Sequence, residues 1–315
     1  MTDSDMSGIT KSAENPCRFR RRSFPFDSAR SALENYMQFV GMSQDDEVLL
    51  PAYIGWSSRE GSGVFDPITQ LGVRYSFYRI SSQLQIDIED AKVKLQARRP
   101  KLLLVIHYFG FPDPGVQELC DFAHANGSLV LEDEAHAMLS DRVGGICGRA
   151  GDASIYSLHK LLPFTYGGRL VLNTCALRGN RETLQEIDRA LSYDDYDLFS
   201  IAQRRRDNAA HLLTLLESAN LPVQPLYADL PTGVVPQSLP ILIKAGSRDE
   251  LYCRMNSAGY GVVSLYHTLV NQIRPDEFPE SHHLARHIMN LPVHQDIDPG
   301  ELPRLVECME KFLTS

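Results

Sequence analysis

The chain has a single tryptophan, six scattered cysteines, no excess of positive charge and no apolar run near membrane-spanning length. Each scarcity excludes something. A bilayer-crossing helix needs about 20 mostly apolar residues in succession, and no segment supplies them. Cys17, Cys120, Cys147, Cys175, Cys253 and Cys308 never fall into CxxC spacing. They offer neither a disulfide framework nor a zinc site, and they read as reduced thiols of a cytoplasmic protein. With 31 Lys+Arg against 40 Asp+Glu, the net charge of −9 withholds the broad basic face that nucleic acids require. Arg18, Arg20, Arg21 and Arg22, and later Arg204 to Arg206, are short clusters of the kind that coat a solvated arm or helix. The first 16 residues are polar and lack a signal-peptide hydrophobic region, so residues 1–23 are expected to form a flexible arm.

What is present is a chain of 315 residues, long enough for one large domain and a smaller one. From about residue 24, short apolar runs alternate with helical patterns, the signature of βα units around a mostly parallel sheet. Strands are expected at Glu47–Leu50, Val73–Phe77, Leu102–His107, Ser128–Leu131, Ala153–Ser157 and Arg169–Asn173. Helices are expected at Ser31–Val40, Ile88–Gln96 and Val116–Ala125, and a long helical region around Glu182–Glu217. Pro222, Pro225, Pro231 and Pro236 then mark a boundary, giving a large domain over 24–225 and a small α+β domain over 226–315. In the small domain, strands are expected at Leu239–Lys244 and Gly261–Leu265. Ser247 with Glu250 offers a capping box, and a last helix should run from about Pro299 to Leu313.

In such sheets ligands bind at the carboxyl ends of the strands, so the polar residues there carry the chemistry. Asp133 follows the strand Ser128–Leu131, and Lys160 follows Ala153–Ser157. A strand-end acid and a lysine just past the next strand suit pyridoxal 5'-phosphate (PLP): the lysine forms a Schiff base and the acid keeps the pyridine nitrogen protonated. His136 stands where it could face the ring or its phenolic oxygen. Glu132 and His136 are four apart, a metal-like spacing, but no third ligand accompanies them. Asp27 or Ser28 is a suitable N-cap, leaving the amides of Ala29 and Arg30 open to a phosphate. Ser157 could donate its hydroxyl to the same phosphate. Trp56 could stack on a cofactor ring or pack in the core. Gly167-Gly168 permits close backbone approach to a ligand or partner, and Tyr266-His267 follow a small-domain strand toward the pocket.

In this order the segments resemble the DegT/DnrJ/EryC1/StrS family of PLP-dependent sugar aminotransferases, within fold type I. Ser28-Ala29-Arg30-Ser31-Ala32-Leu33 is similar to the family's Ser-Gly-Thr-Ala-Ala-Leu turn. Asp46 to Ala52 resembles Asp-Glu-Val-Ile-Val-Pro-Ala, and Val105 to Gly110 resembles the His-Leu-Tyr-Gly segment. Glu132 to Ala137 matches Glu-Asp-Ala-Ala-Gln/His-Ala, while Phe278-Pro279-Glu280 and Leu291 to His294 are similar to the small-domain pattern. The resemblance runs from about Phe24 to Phe312. It implies an aspartate-aminotransferase-like α/β fold and a homodimer with shared active sites. Lys160 would hold PLP and shuttle a proton, and Asp133 would face the pyridine nitrogen. Ser28, Ala29, Arg30, Trp56, His136, Ser157 and His159 would complete the cofactor site. Two departures stand out: Lys160 lies three residues after Ser157 where the family has five, and Arg169 replaces the alanine of Gly-Gly-Ala. An arginine there could read a carboxylate or phosphate on the substrate.

The function so implied is transfer of an amino group, from glutamate, to a keto group of a sugar or other small metabolite, passing through pyridoxamine 5'-phosphate. The shortened Ser157–Lys160 step leaves room for another PLP-dependent reaction: elimination, decarboxylation, racemisation or aldol-type cleavage. A non-catalytic regulatory or binding homologue is the third reading.

Overall fold

Five-residue strands buried on both faces set the architecture. The structure is a computed structural model and describes residues 21–173, 177, 179–184 and 192–314. Strands β2 (Glu47–Pro51), β4 (Leu102–Ile106) and β6 (Ala153–Ser157) bury every residue, as parallel strands sandwiched between helices must. Each fully buried leucine, valine or isoleucine in them contributes about 1.5–3 kcal/mol. With β1 (Arg22–Phe26), β3 (Arg74–Tyr78), β5 (Leu129–Asp133) and β7 (Gly168–Leu172) they form a seven-stranded sheet of order β1-β7-β6-β5-β4-β2-β3. Only β7 runs against its neighbours; the other paired strands are parallel.

Helix α1 (Ala29–Phe39) lies against β6 and β7, burying Ala32, Leu33, Tyr36 and Met37 on one face. Between the strands come α2 (Phe65–Gln70), α3 (Ile88–Arg98), α4 (Val116–Ala125) and α5 (Met138–Arg142). The small layer is an antiparallel sheet of β8 (Val223–Pro225), β9 (Ser238–Ile243) and β10 (Ile288–Pro292). It packs with α6 (Leu198–Ala219), α7 (Arg248–Ser257) and α9 (Glu301–Thr314), while α8 (Pro279–His287) leans on the large core. Ser247 caps α7 by accepting a hydrogen bond from the Glu250 amide.

Several expectations need correction. Strand β1 starts inside the segment read as an arm, and Arg21 is tied down just before it. The second core takes in Ala209, Leu212 and Leu216 of α6 as well as β8, so the small layer draws on residues before 226. Residues 261–265 are not a strand: Gly261 has φ +59 and only Val263 pairs, with Asn290. Of the helical region expected around Glu182–Glu217, residues 185–191 lie outside the described residues, and α6 begins at Leu198, where Asp197 caps it. Cys17 and Cys175, with Arg18 and Arg20, lie outside the described residues. Cys120, Cys147, Cys253 and Cys308 are free thiols. Among the described residues, no helix is long and apolar enough to cross a membrane.

Candidate active site

Strand alternation sorts three consecutive acids onto two faces. Asp133, at the end of β5, lines a cavity of about 830 Å³ above the strand ends. Its neighbours Glu132 and Glu134 belong to a separate buried network. Glu132 accepts from the Gly148 and Gly151 amides at 2.8 and 2.7 Å and pairs with His107 at 2.8 Å. It has no role beside His136, and among the described residues no metal-binding cluster exists.

The network extends to the edge of the sheet. Arg21 donates to both Asp141 oxygens at 2.8 and 2.6 Å, and to Asn173 Oδ1 and the Gly148 carbonyl at 2.7 Å each. Tyr156 donates to Asp141 at 2.5 Å. Burial, reinforced by Asp141 and Glu132, pushes the Glu134 carboxyl well up. Folded chains therefore keep a proton on Glu134 that unfolded chains release above the ordinary value of about 4.3. By linkage this contribution to stability is complete below that value and is lost as pH rises. Glu134→Gln should consequently gain stability relative to the parent as pH rises from weakly acid to weakly alkaline. Denaturation midpoints at several pH values check this; parallel curves would refute it.

On the cavity face, the Asp133 carboxylate accepts from the Ala135 amide at 2.8 Å. Burial pushes its pKa up, against the pull of that amide, Lys160 and His107. Lys160 Nζ lies 3.0 Å from His136 Nε2. Desolvation lowers the Lys160 pKa, opposed by Asp133 and Glu60. A lysine so shifted is a better nucleophile and base. His136 is 2 % exposed, stacks on Phe109 and is pushed well down by burial and then by Lys160.

The third component is the start of α1. Ser28 Oγ accepts from the Ser31 amide at 3.1 Å, and the first helical bond runs from Ala32 to the Ser28 carbonyl. The amides of Ala29 and Arg30 precede that bond, and both residues line the cavity; the free amides of a helix start are suited to anions. Gly168 is what lets α1 come so close: a Cβ there would sit 2.2 Å from the Ser28 carbonyl carbon and 2.5 Å from the Ala29 nitrogen. The close approach made by Gly167-Gly168 is thus to the chain's own α1. Gly168→Ala should displace this turn and weaken binding of a phosphate-bearing ligand at the start of α1 on the order of 10–100-fold, the worth of one hydrogen bond to a charged group. Spectroscopic titration with PLP reads it, and unchanged affinity would refute the packing.

Of the sequence-predicted residues, Ser28, Ala29, Arg30, Trp56, Asp133, His136, Ser157, His159, Lys160, Tyr266 and His267 all line this one cavity. Trp56 is 45 % exposed at its mouth, which excludes core packing. Ser157 Oγ lies 3.3 Å from His159 Nδ1. Burial, then Lys160, lowers the His159 pKa. Tyr266 has φ +60 and packs its ring against Tyr53, Tyr108 and His136. Gly55 makes room, since a Cβ there would meet Tyr266 at 2.6 Å. His267 Nδ1 lies 2.6 Å from the Ser264 carbonyl.

Arg169 does not join them. It pairs with Tyr156, one residue out of phase with Ser157, and lies over the Tyr193 ring at 5.4 Å, away from the cavity. Sequence reasoning also missed Glu60. The hairpin Ser57–Gly61 carries it to the cavity edge, where Arg30 donates to its backbone carbonyl at 2.5 Å and its charge acts on Lys160 and His159. The turn residues of Ser57-Ser58-Arg59-Glu60-Gly61 were the only available signal.

A mostly parallel sheet with a buried aspartate and a lysine at one crevice defines an enzyme of the aspartate-aminotransferase-like fold type I. The chain belongs to the DegT/DnrJ/EryC1/StrS aminotransferase family, whose profile matches residues 21–187. It is 30 % identical over 146 residues to GDP-perosamine synthase of Vibrio cholerae, a stretch covering 45 % of this chain and 38 % of that protein. It is 24 % identical over 317 residues to a pleiotropic regulatory protein of Geobacillus stearothermophilus, covering 89 % and 82 % of the two chains. Identity to the dTDP-4-dehydro-2,3,6-trideoxy-D-glucose 4-aminotransferase of Saccharopolyspora spinosa is 23 %, covering 90 % and 83 %. The solved structure of DesI with its TDP-sugar product shares the fold at TM-score 0.75 and 17 % identity, covering 95 % of this chain and 82 % of that one.

Proposed function

We propose that the protein is a PLP-dependent aminotransferase that moves an amino group from glutamate to a keto group of a nucleotide-linked sugar. The observation that carries this reading is the convergence of Lys160, Asp133 and the open amides of α1 on one cavity. The residues fit the cofactor. Asp133 is buried with its charged form disfavoured, so it calls for a cationic donor, which a pyridinium nitrogen supplies. Ala29, Arg30, Ser28 and Ser157 would hold the phosphate, with Trp56, His136 and His159 around the ring. When bound, PLP supplies an electron-accepting ring that lets a carbon beside nitrogen lose a proton. Lys160 Nζ, whose charged form burial disfavours, is the group that takes and returns that proton. Relatives named for sugar products and substrates support the acceptor class. We propose a homodimer, as the family resemblance implies.

The regulatory relative keeps a second reading in view. Absorbance of the purified protein with PLP decides between them. The expected result is a visible band, lost on adding glutamate and restored by a keto sugar. A band that survives every amino donor indicates a different PLP reaction. Failure to take up PLP at all favours a regulatory role.

A further inference from the structure

Phe109, just past β4, adopts φ +57 and ψ 16, a left-handed backbone that a large side chain rarely occupies. The surroundings hold it there. The Gln237 amide donates to its carbonyl at 2.7 Å, and the following residue must be glycine, because a Cβ on Gly110 would sit 2.4 Å from the Val235 carbonyl oxygen. The consequence is an amide pointed at a side chain: Phe109 N–H donates to His136 Nδ1 at 3.2 Å, and the two rings stack with centroids 5.6 Å apart.

An imidazole nitrogen that accepts a hydrogen bond carries no proton, so the neutral ring bears its hydrogen on Nε2. That atom is 3.0 Å from Lys160 Nζ. Two N–H donors cannot share this contact; the Nε2–H must donate into the lone pair of an unprotonated amine. Resting on the reading of Lys160 as the nucleophile, we infer that the Phe109 amide fixes the His136 tautomer and that His136 thereby holds Lys160 as the free amine. His136 and the Phe109 backbone are positioning groups. The other charged and titratable groups around Lys160 are Asp133 on β5, Glu60 on the hairpin and His159 beside it. Asp133 and Glu60 favour the ammonium, so the hydrogen bond from His136 opposes them, in the same direction as burial.

Two measurements test this. In apo protein labelled with 15N-histidine, His136 should appear as the Nε2–H tautomer at neutral pH, its signals assigned by their loss in His136→Gln. An Nδ1–H tautomer, or an imidazolium, overturns the inference. Separately, the rate of borohydride-trapped PLP attachment to Lys160 is followed against pH. His136→Gln keeps an N–H near the Nε2 position; His136→Asn keeps an acceptor for Phe109 but loses the donor to Lys160. The pH midpoint should rise by about one unit in His136→Asn, or about tenfold slower attachment at neutral pH, and stay near the parent in His136→Gln. Equal midpoints in all three proteins overturn it. If the parent protein attaches no PLP, the reading of Lys160 fails, while the tautomer spectrum still decides the arrangement of Phe109 and His136.

Discussion

Lys160→Ala is expected to abolish borohydride-trappable PLP and to lower turnover on the order of 10³-fold or more, because no neighbouring group can take over both roles. His136, 3.0 Å away, and His159 share the cavity with Lys160, and both are histidines whose pKa burial lowers. Neither can form the stable covalent link that a primary amine forms. The shortened step from Ser157 makes this a sharp test, since the family's usual lysine position is held here by Leu162, a buried residue of an apolar cluster. Mass spectrometry after reduction should locate PLP on Lys160 in the parent chain and nowhere in the variant. Label on another lysine would refute the assignment.

Asp133→Asn is expected to leave PLP uptake largely intact and to slow proton abstraction from the amino donor by about 10²–10³-fold, the size of losing one preorganised electrostatic partner. Deuterium exchange from solvent into glutamate isolates that step. The pH profile adds a sign. Burial raises the Asp133 pKa in the unliganded chain, and a pyridinium nitrogen beside it would pull the value back down, so activity should fall as pH drops low enough to protonate that ion pair. The asparagine variant should lack that acid limb. Parent-like exchange, or an unchanged acid limb, would remove Asp133 from its assigned role.

The strand ends were the legible part of this chain. The runs at 128–131 and 153–157 are bounded by polar or turn residues and fall on strands β5 and β6, and the acid and lysine that follow them reach the same cavity. The edge strand was harder, because Arg22–Phe26 carries Pro25 and lacks an alternating pattern; its partner is far off in sequence. Residues 261–265 look like a strand by composition, yet the left-handed Gly261 breaks the ladder. The side of the sheet taken by Arg169 could not be read without a register. Once it is paired with Tyr156, alternation turns it to the face opposite Ser157. Tyr266 and Phe109 both hold positive φ through tertiary contacts, and no local pattern announces that.

The reversal of β7 also dictates when the site can come into being. Helix α1 hangs from the edge strand β1, and β1 is registered on β7 from Arg22↔Leu172 to Phe26↔Gly168. The loop that this pairing closes is roughly 150 residues long, and closures of that span are entropically costly and slow. Lys160 and Asp133 sit at the ends of the central strands, whose pairings span far fewer residues than that loop. A site that needs both the central strands and α1 is complete only once β1 has closed on β7, so PLP absorbance during refolding is expected to return no earlier than that pairing.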